Sequence, residues 1–236
     1  MLKAAIFDVF GTVVDWRTGV AAVMADAFFE KGIEHDAEAF ADAWRAEYDP
    51  AMARIREGGR GYIPLDDLHL ENLARVLDAR HLDGVYDAME RAALNKAWEI
   101  LPPWPDSVAG LTAIRAAMPI APCSNGSIAL MTSLARFGGL PWDCILGAEI
   151  ARDYKPKAEV YLASCSALRL APEEVVMVAA HNNDLVAARA AGLKTAFIPR
   201  PDEKGPGLGE TRAEEDWDWV AEDMIALARA LTGDDA

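Results

Sequence analysis

Between residues 106 and 198 short apolar runs alternate with stretches of helical periodicity, and this alternation most restricts what the chain can fold into. Helical patterns over 106–117, 128–137, 157–168 and 184–191 are followed by apolar runs at 119–123, 144–146, 175–179 and 194–198. Strands that alternate with helices build a parallel sheet with right-handed crossovers. One further apolar run, Ala4 to Phe7, opens the chain and ends at Asp8. It is predicted to lie centrally, because the chain can then wind outward in both directions. The expected fold is α/β, with a doubly wound parallel sheet.

Residues 16–98 break that rhythm. Apolar residues recur at helical spacing from Thr18 to about Phe29, with Gly32 as a stop. A second pattern over 36–56 carries Phe40, Trp44, Tyr48, Met52 and Ile55 and is predicted to break or bend near Pro50. Leu65 to Leu77 and Val85 to Trp98 give two more amphipathic segments, and no convincing strand is present. The expected organisation is a core from 1–15 and 99–236, with 16–98 a helical cap inserted after the first strand. Leu101-Pro102-Pro103-Trp104-Pro105 is a stiff connector back to the core, 200–215 a Gly/Pro/charge-rich loop and 220–231 a closing helix.

Composition narrows the function. A formal charge of −15 argues against nucleic acid or an anionic membrane as the main partner. An acidic protein that handles an anion must gather its few cations locally. The cysteines, Cys123, Cys144 and Cys165, are sparse, odd in number and in apolar surroundings. They read as inert buried thiols in a reducing compartment. With no N-terminal signal-like segment and no run of membrane-spanning length, a cytoplasmic protein is expected.

Polar residues cluster where strands are predicted to end, and such tips converge on one crevice in a doubly wound sheet. Asp8, ahead of the Gly11-Thr12 turn, reads as a nucleophile, a metal ligand or a turn former. Ser124-Asn125-Gly126-Ser127 reads as an anion cradle at a helix N-terminus or as an ordinary helix cap. Lys155 is a cation that ionises and orients Asp8, or a solvated lysine. Asp184 is a metal ligand, a water-activating base or an N-cap, and His181 titrates near neutral pH or satisfies a turn.

Together these segments resemble the haloacid dehalogenase superfamily and, within it, the L-2-haloacid dehalogenase (type II) branch. The matching pieces are Phe7-Asp8-Val9-Phe10-Gly11-Thr12, Ser124-Asn125-Gly126, Lys155-Pro156 with Tyr161, Asp184, Trp44-Arg45 in the insert and Asp216-Trp217-Asp218 near the end. Each is weak alone, whereas their order and spacing over nearly the whole chain are specific. The decisive position is Phe10, where the superfamily's phosphatases usually carry a second Asp as general acid for an alkoxide. A halide leaves as a stable anion and needs no such acid.

The resemblance implies a HAD-like core and hydrolysis of small 2-haloalkanoic acids to 2-hydroxy acids. Asp8 would displace halide with inversion and form an ester that water then hydrolyses. Thr12 and Lys155 would fix and ionise Asp8, Asp184 would orient Lys155 or the water, and Tyr161 would support Lys155. Ser124 and backbone N–H groups near Phe10 would hold the substrate carboxylate, and Arg45 and Asn125 the departing halide, with Asn182 also on the binding side. Arg54 and Arg56, on the same helical stretch as Arg45, read as solvated. Ala179-Ala180-His181 stands where many members have Ser and Asn, so His181 is expected within reach of Asp8, polarising the water or contacting the halide. No cofactor and no metal are implied, because Asp184 is flanked by Asn182 and Asn183 rather than by further carboxylates. The partners are the haloacid and its halide, and a homodimer joined through the caps is compatible with these features. A magnesium-dependent phosphomonoesterase and a non-catalytic small-carboxylate binding protein are the rival readings.

Overall fold

The structure, a computed structural model, describes residues 1–233, so the last three residues of the 99–236 stretch lie outside the described residues. The core begins with β1 (Ala4–Phe7) and continues with α6 (Ser107–Ala117), β2 (Ile120–Ser124), α7 (Ile128–Gly138), β3 (Leu146–Gly147) and the single turn α8 (Ala148–Ala151). It goes on through α9 (Ala158–Ala167), β4 (Val175–Ala179), α10 (Asn182–Ala190), β5 (Lys194–Phe197), β6 (Trp219–Val220) and α11 (Met224–Thr232). All neighbouring strands pair in parallel, in the order β3-β2-β1-β4-β5-β6. The α/β doubly wound expectation therefore holds, with β1 between β2 and β4.

The pleat explains why β1 and β4 read as unbroken apolar runs. Ala4 and Ile6 pack on one face with Val160, Cys165 and Leu185, whereas Ala5 and Phe7 face the other with Leu111, Ile114 and Leu227. Strands buried on both faces cannot alternate with polar residues. The register sets Phe7 opposite Pro122 and Val178, so the tips of β1, β2 and β4 open together at the carboxyl edge.

Between β1 and α6 the chain forms α1 (Trp16–Lys31), α2 (Ala37–Ala46), α3 (Tyr48–Arg56), α4 (Leu65–Ala79) and α5 (Ala88–Asn95), then a 3₁₀ turn over Lys96–Glu99. Asp15, Asp36 and Asp87 cap α1, α2 and α5 by accepting backbone N–H bonds, and Gly32 ends α1 in the left-handed region. The break expected near Pro50 falls instead at Glu47, between α2 and α3. Pro50 sits in the first turn of α3, where a missing N–H costs no intrahelical bond. The strand expected at 144–146 is shifted to Leu146–Gly147, and β6 lies past the 200–215 loop with Val220 at the start of the stretch read as the closing helix, which begins instead at Met224.

Candidate active site

A cavity of 470 Å³ lies between the carboxyl edge of the sheet and the helical insert. Asp8 lies at its floor, fixed because its N–H donates to Val178 O at 3.0 Å. The chain then turns at Gly11, whose φ of +88° L side chains rarely adopt. A Cβ there would meet Glu203 Oε1 at 2.2 Å, so glycine also makes room for that carboxylate.

The two oxygens of Asp8 are held differently. Lys155 Nζ donates to Oδ1 at 2.9 Å and to Asp184 Oδ2 at 2.5 Å. Oδ2 accepts the Thr12 hydroxyl at 2.7 Å and lies 3.0 Å from His181 Nδ1. The Thr12 oxygen itself accepts the Ala180 N–H, which aims its one proton at Asp8. Burial alone pushes the Asp8 carboxyl upward, yet Lys155 and His181 hold it well below the usual carboxylate range. Burial likewise disfavours the Lys155 ammonium, and Asp184 and Asp8 more than reverse this, raising its pKa. The cation facing these two carboxylates is thus the protein's own ammonium.

Structure separates roles that sequence left open. Ser127 caps α7 by accepting from Leu130 N, which frees Ser124 and Asn125 from capping. Asn125 Oδ1 accepts the Lys155 backbone N–H at 2.9 Å; that donor fixes the amide's orientation and leaves its NH₂ at the opposite end. Ser124 is fully buried, its Oγ accepting from Gly126 N, and it does not line the cavity. Asp184 is not an N-cap: it lies in the first turn of α10, one carboxylate oxygen on Lys155 and the other accepting from the Tyr161 hydroxyl. Tyr161 therefore reaches Lys155 only through Asp184.

Asn182 is turned away from the cavity. It donates to Glu210 Oε2 and accepts from Glu214 N and Trp217 Nε1, tying down the chain over 210–217. Its side chain is a brace rather than a binding group, because every polar atom is spent on that loop.

The insert supplies the roof. Phe10, 3% exposed, turns its ring edge to Trp98 and Tyr48, an apolar plug that also leaves this position without a proton donor. Arg45 stacks its guanidinium 3.9 Å from the Tyr48 ring centroid and 5.5 Å from that of Trp16. It lines the cavity, and among the described residues it makes no ion pair. Arg54 and Arg56 are not freely solvated. Arg54 buries an unpartnered guanidinium nitrogen, and Arg56 donates to the Lys155 carbonyl at 2.9 Å, joining the insert to the core beside the ammonium.

The reading of 200–215 as plain loop missed Glu203. It is 1% exposed, accepts from Trp16 Nε1 at 3.0 Å, and sets Oε2 2.9 Å from His181 Nε2. Burial raises its pKa, but His181 and Trp16 bring the net shift downward. His181 is thus gripped at both ring nitrogens. Burial pulls its pKa down, and the bonds to Asp8 and Glu203 override that and carry it up to about 10. Only the bracketing of Glu203 by glycine and proline could have hinted that this loop folds inward.

The cysteines are free; Cys123 and Cys165 are buried as expected but Cys144 is only half-buried, and burial pushes the Cys123 thiol up to about 12, in keeping with an inert packing role there. Among the described residues no group of three His, Cys, Asp or Glu side chains is placed to hold a metal ion, and no helix is long and apolar enough to cross a membrane.

A family model described as haloacid dehalogenase-like hydrolase matches residues 2–192. The chain is 30% identical over 203 residues to (S)-2-haloacid dehalogenase 1 of Pseudomonas sp. (strain CBS-3), covering 84% of this chain and 85% of that one. A crystal structure of a defluorinating L-2-haloacid dehalogenase superposes with a TM-score of 0.94 at 48% identity, over 98% of this chain and 95% of the other. A second L-2-haloacid dehalogenase crystal structure gives 0.94 at 43% identity, over 99% of this chain and all of the other (100%).

Proposed function

The chain belongs to the haloacid dehalogenase-like hydrolase family, and from that premise we propose that it is a 2-haloacid dehalogenase, a hydrolase acting on carbon–halide bonds by way of an aspartyl ester on Asp8. The observation that carries this reading is one cavity with an ionised Asp8 at its floor and a guanidinium without an anionic partner, Arg45, at its roof. A 2-haloacid brings two needs, a nucleophile for carbon and a cation for the leaving halide, and these two groups meet them.

In the first step an Asp8 oxygen forms a bond to the carbon as the carbon–halogen bond breaks, with inversion. The halogen takes the bonding pair and departs toward Arg45, where the developing negative charge is stabilised. Phe10 offers no proton, and none is required. The Asn125 NH₂ and the backbone at the tip of β2 are the groups left to hold the substrate carboxylate, because Ser124 is buried behind them. In the second step water adds to the Asp8 carboxyl carbon, and splitting one hard displacement into two stages is the advantage of the covalent route.

Halide release from a panel of 2-haloacids, with EDTA present, is the direct test. Asp8→Asn is expected to lower turnover by at least about 10⁴-fold, and intact mass of the wild type quenched mid-turnover should show an organic acid attached at Asp8. Phosphate release that requires magnesium, with no halide release, would replace this reading by that of a phosphatase.

A further inference from the structure

We infer that His181 acts as an electrophile in ester hydrolysis, its Nδ1–H and the Thr12 hydroxyl together holding the oxygen on which negative charge develops, and that it is not the base that activates water. This inference rests on the aspartyl-ester reading above and assigns a role within its second step.

The difference between the two Asp8 oxygens leads there. Oδ2 already accepts Thr12 and faces His181 Nδ1, whereas Oδ1 accepts only Lys155 among the described residues. Oδ1 therefore keeps a lone pair for carbon. Once Oδ1 is alkylated, Oδ2 is the ester carbonyl oxygen, and its partners at 2.7 and 3.0 Å need not move. Water adding to the carboxyl carbon sends the carbonyl π pair onto Oδ2, between those two donors. Donors held in advance where charge will appear are the most effective arrangement for such a step.

The surroundings of His181 deny it the role of base. Nδ1 faces Asp8 Oδ2 and Nε2 faces Glu203 Oε2, both acceptors, so each nitrogen must carry a proton to bond. A ring protonated at both nitrogens has no lone pair with which to take one from water. Conversion of Asp8 to an ester leaves an acceptor in front of Nδ1, and Glu203 still faces Nε2. The charged groups around the ring are Asp8 after β1, Glu203 in the loop after β5, Arg45 near Glu203 from α2, and Lys155 with Asp184 on the far side of Asp8. The raised pKa of the histidine agrees with this arrangement.

The protons balance without His181. Asp184, which lines the cavity, takes one proton from the attacking water, whose oxygen stays on the carboxyl carbon. Collapse breaks the bond from that carbon to Oδ1, and Lys155, 2.9 Å from Oδ1, gives its proton to the departing alkoxide. Asp184 returns its proton to Lys155 across their 2.5 Å separation. The product carries Oδ1 as its hydroxyl, and the second proton of the water leaves to solvent as Asp8 regains a carboxylate with one oxygen from water.

The test is a single-turnover rapid quench of the full chain with 2-chloropropionate between about pH 6 and 10.5, a span set by ordinary histidine and its shifted value. Chloride reports ester formation and 2-hydroxypropionate reports hydrolysis, in the wild type, His181→Asn and His181→Ala. Asn can donate an N–H but cannot act as a base. His181→Ala is expected to slow hydrolysis by about 10²–10³-fold, at least about tenfold more than it slows chloride release, with adduct accumulating on Asp8. His181→Asn should recover hydrolysis to within about tenfold of the wild type and lose the alkaline decline that the wild type shows as its ring deprotonates. Hydrolysis as slow in His181→Asn as in His181→Ala, or a wild-type rate rising with pH through a limb absent from the alanine variant, would make His181 a base. Equal slowing of both steps would make it a structural pin. No chloride burst from the wild type would instead remove the ester reading itself.

Discussion

The floor and the roof of the cavity solve opposite problems. On the floor the charges around Asp8 are all paired: Asp8 with Lys155, Thr12 and His181, Asp184 with Lys155 and Tyr161, Glu203 with His181 and Trp16. In the roof the guanidinium of Arg45 rests on aromatic rings and makes no ion pair, and His69 and Asn72 are fully buried with no side-chain partner, among the described residues. A saturated floor is preorganised, since nothing must turn to make Asp8 an anion. An unsaturated roof keeps the cavity-lining guanidinium of Arg45 available for a charge that arrives with the substrate. Under the proposed function the two opposite charges of the displacement then come from different parts of the chain, the nucleophile from the sheet edge and the cation for the halide from the inserted helices.

Lys155→Met attacks the floor and should have the largest combined effect of the variants that spare the nucleophile. It leaves Asp8 and Asp184 buried without their shared cation. Removing one partner of a buried charge cluster costs about 3–5 kcal/mol, read as a lower denaturant midpoint. Halide release should fall by about 10²–10³-fold, because Asp8 would lose the cation that most favours its ionised form. Unchanged stability would mean that the floor is less closed than its geometry.

Arg45→Ala breaks the roof and should separate activity from stability. Halide release is expected to fall by about 10–100-fold, because the departing halide would no longer meet a charge-assisted hydrogen bond in the transition state. Folding should change by no more than about 1 kcal/mol, the worth of cation–π stacking on Tyr48 and Trp16. A large drop in stability with little drop in rate would reverse the division between floor and roof.

The pH dependence of stability sharpens the same contrast. His181 binds its proton more tightly folded, with a pKa of about 10 against an ordinary 6.5. The folded state then holds more protons than the unfolded one in that window, so its contribution is complete below 6.5 and is lost as pH rises toward about 10. Asp8 acts at the other end: its lowered pKa gives stability that is present above the ordinary carboxylate value and lost as pH falls. Thermal melts should therefore show an alkaline decline that His181→Asn flattens, whereas the acid decline remains.

Legibility in the sequence follows the same division. The sheet is readable because β1, β4 and β5 are apolar runs; Asp8 stands just past β1 and Asp184 just past β4, and Lys155 lies in the connection between α8 and α9. Pairings made across large sequence separations are not. Trp16 to Glu203 spans 187 positions and Arg56 to Lys155 spans 99, and no local period records such a meeting. Asn182 was misread for a related reason: an amide beside Asp184 looks like a binding group until the chain from 210 to 217 folds back onto it. The two-residue strand β6 is too short to show a period, and its place comes from pairing with β5.

The smallest expected effect concerns His69 in the roof. Its ring stacks on Trp98 with centroids 4.1 Å apart and faces Phe10 and Tyr48, and neither nitrogen has a partner among the described residues. Burial, aided by the charge of Arg45, drives its pKa well below the ordinary value, so the folded protein holds it neutral. The sign is opposite to that of His181. Below about 6.5 the unfolded chain takes up a proton that the folded one refuses, so stability falls as pH drops and is flat above that value. His69→Phe keeps an aromatic ring in the stack and removes both the unpaired nitrogens and the titration. At pH 7.5 it should leave halide release within about twofold and be neutral to stabilising by about 1 kcal/mol, since replacing an unsatisfied buried polar group by an apolar one is favourable. At pH 5.5 the advantage over the wild type should grow, read as a wider gap between the two denaturant midpoints. A gap that narrows instead would show that His69 is charged in the fold, and the aromatic stack around Phe10 and Trp98 would then hold a cation of its own.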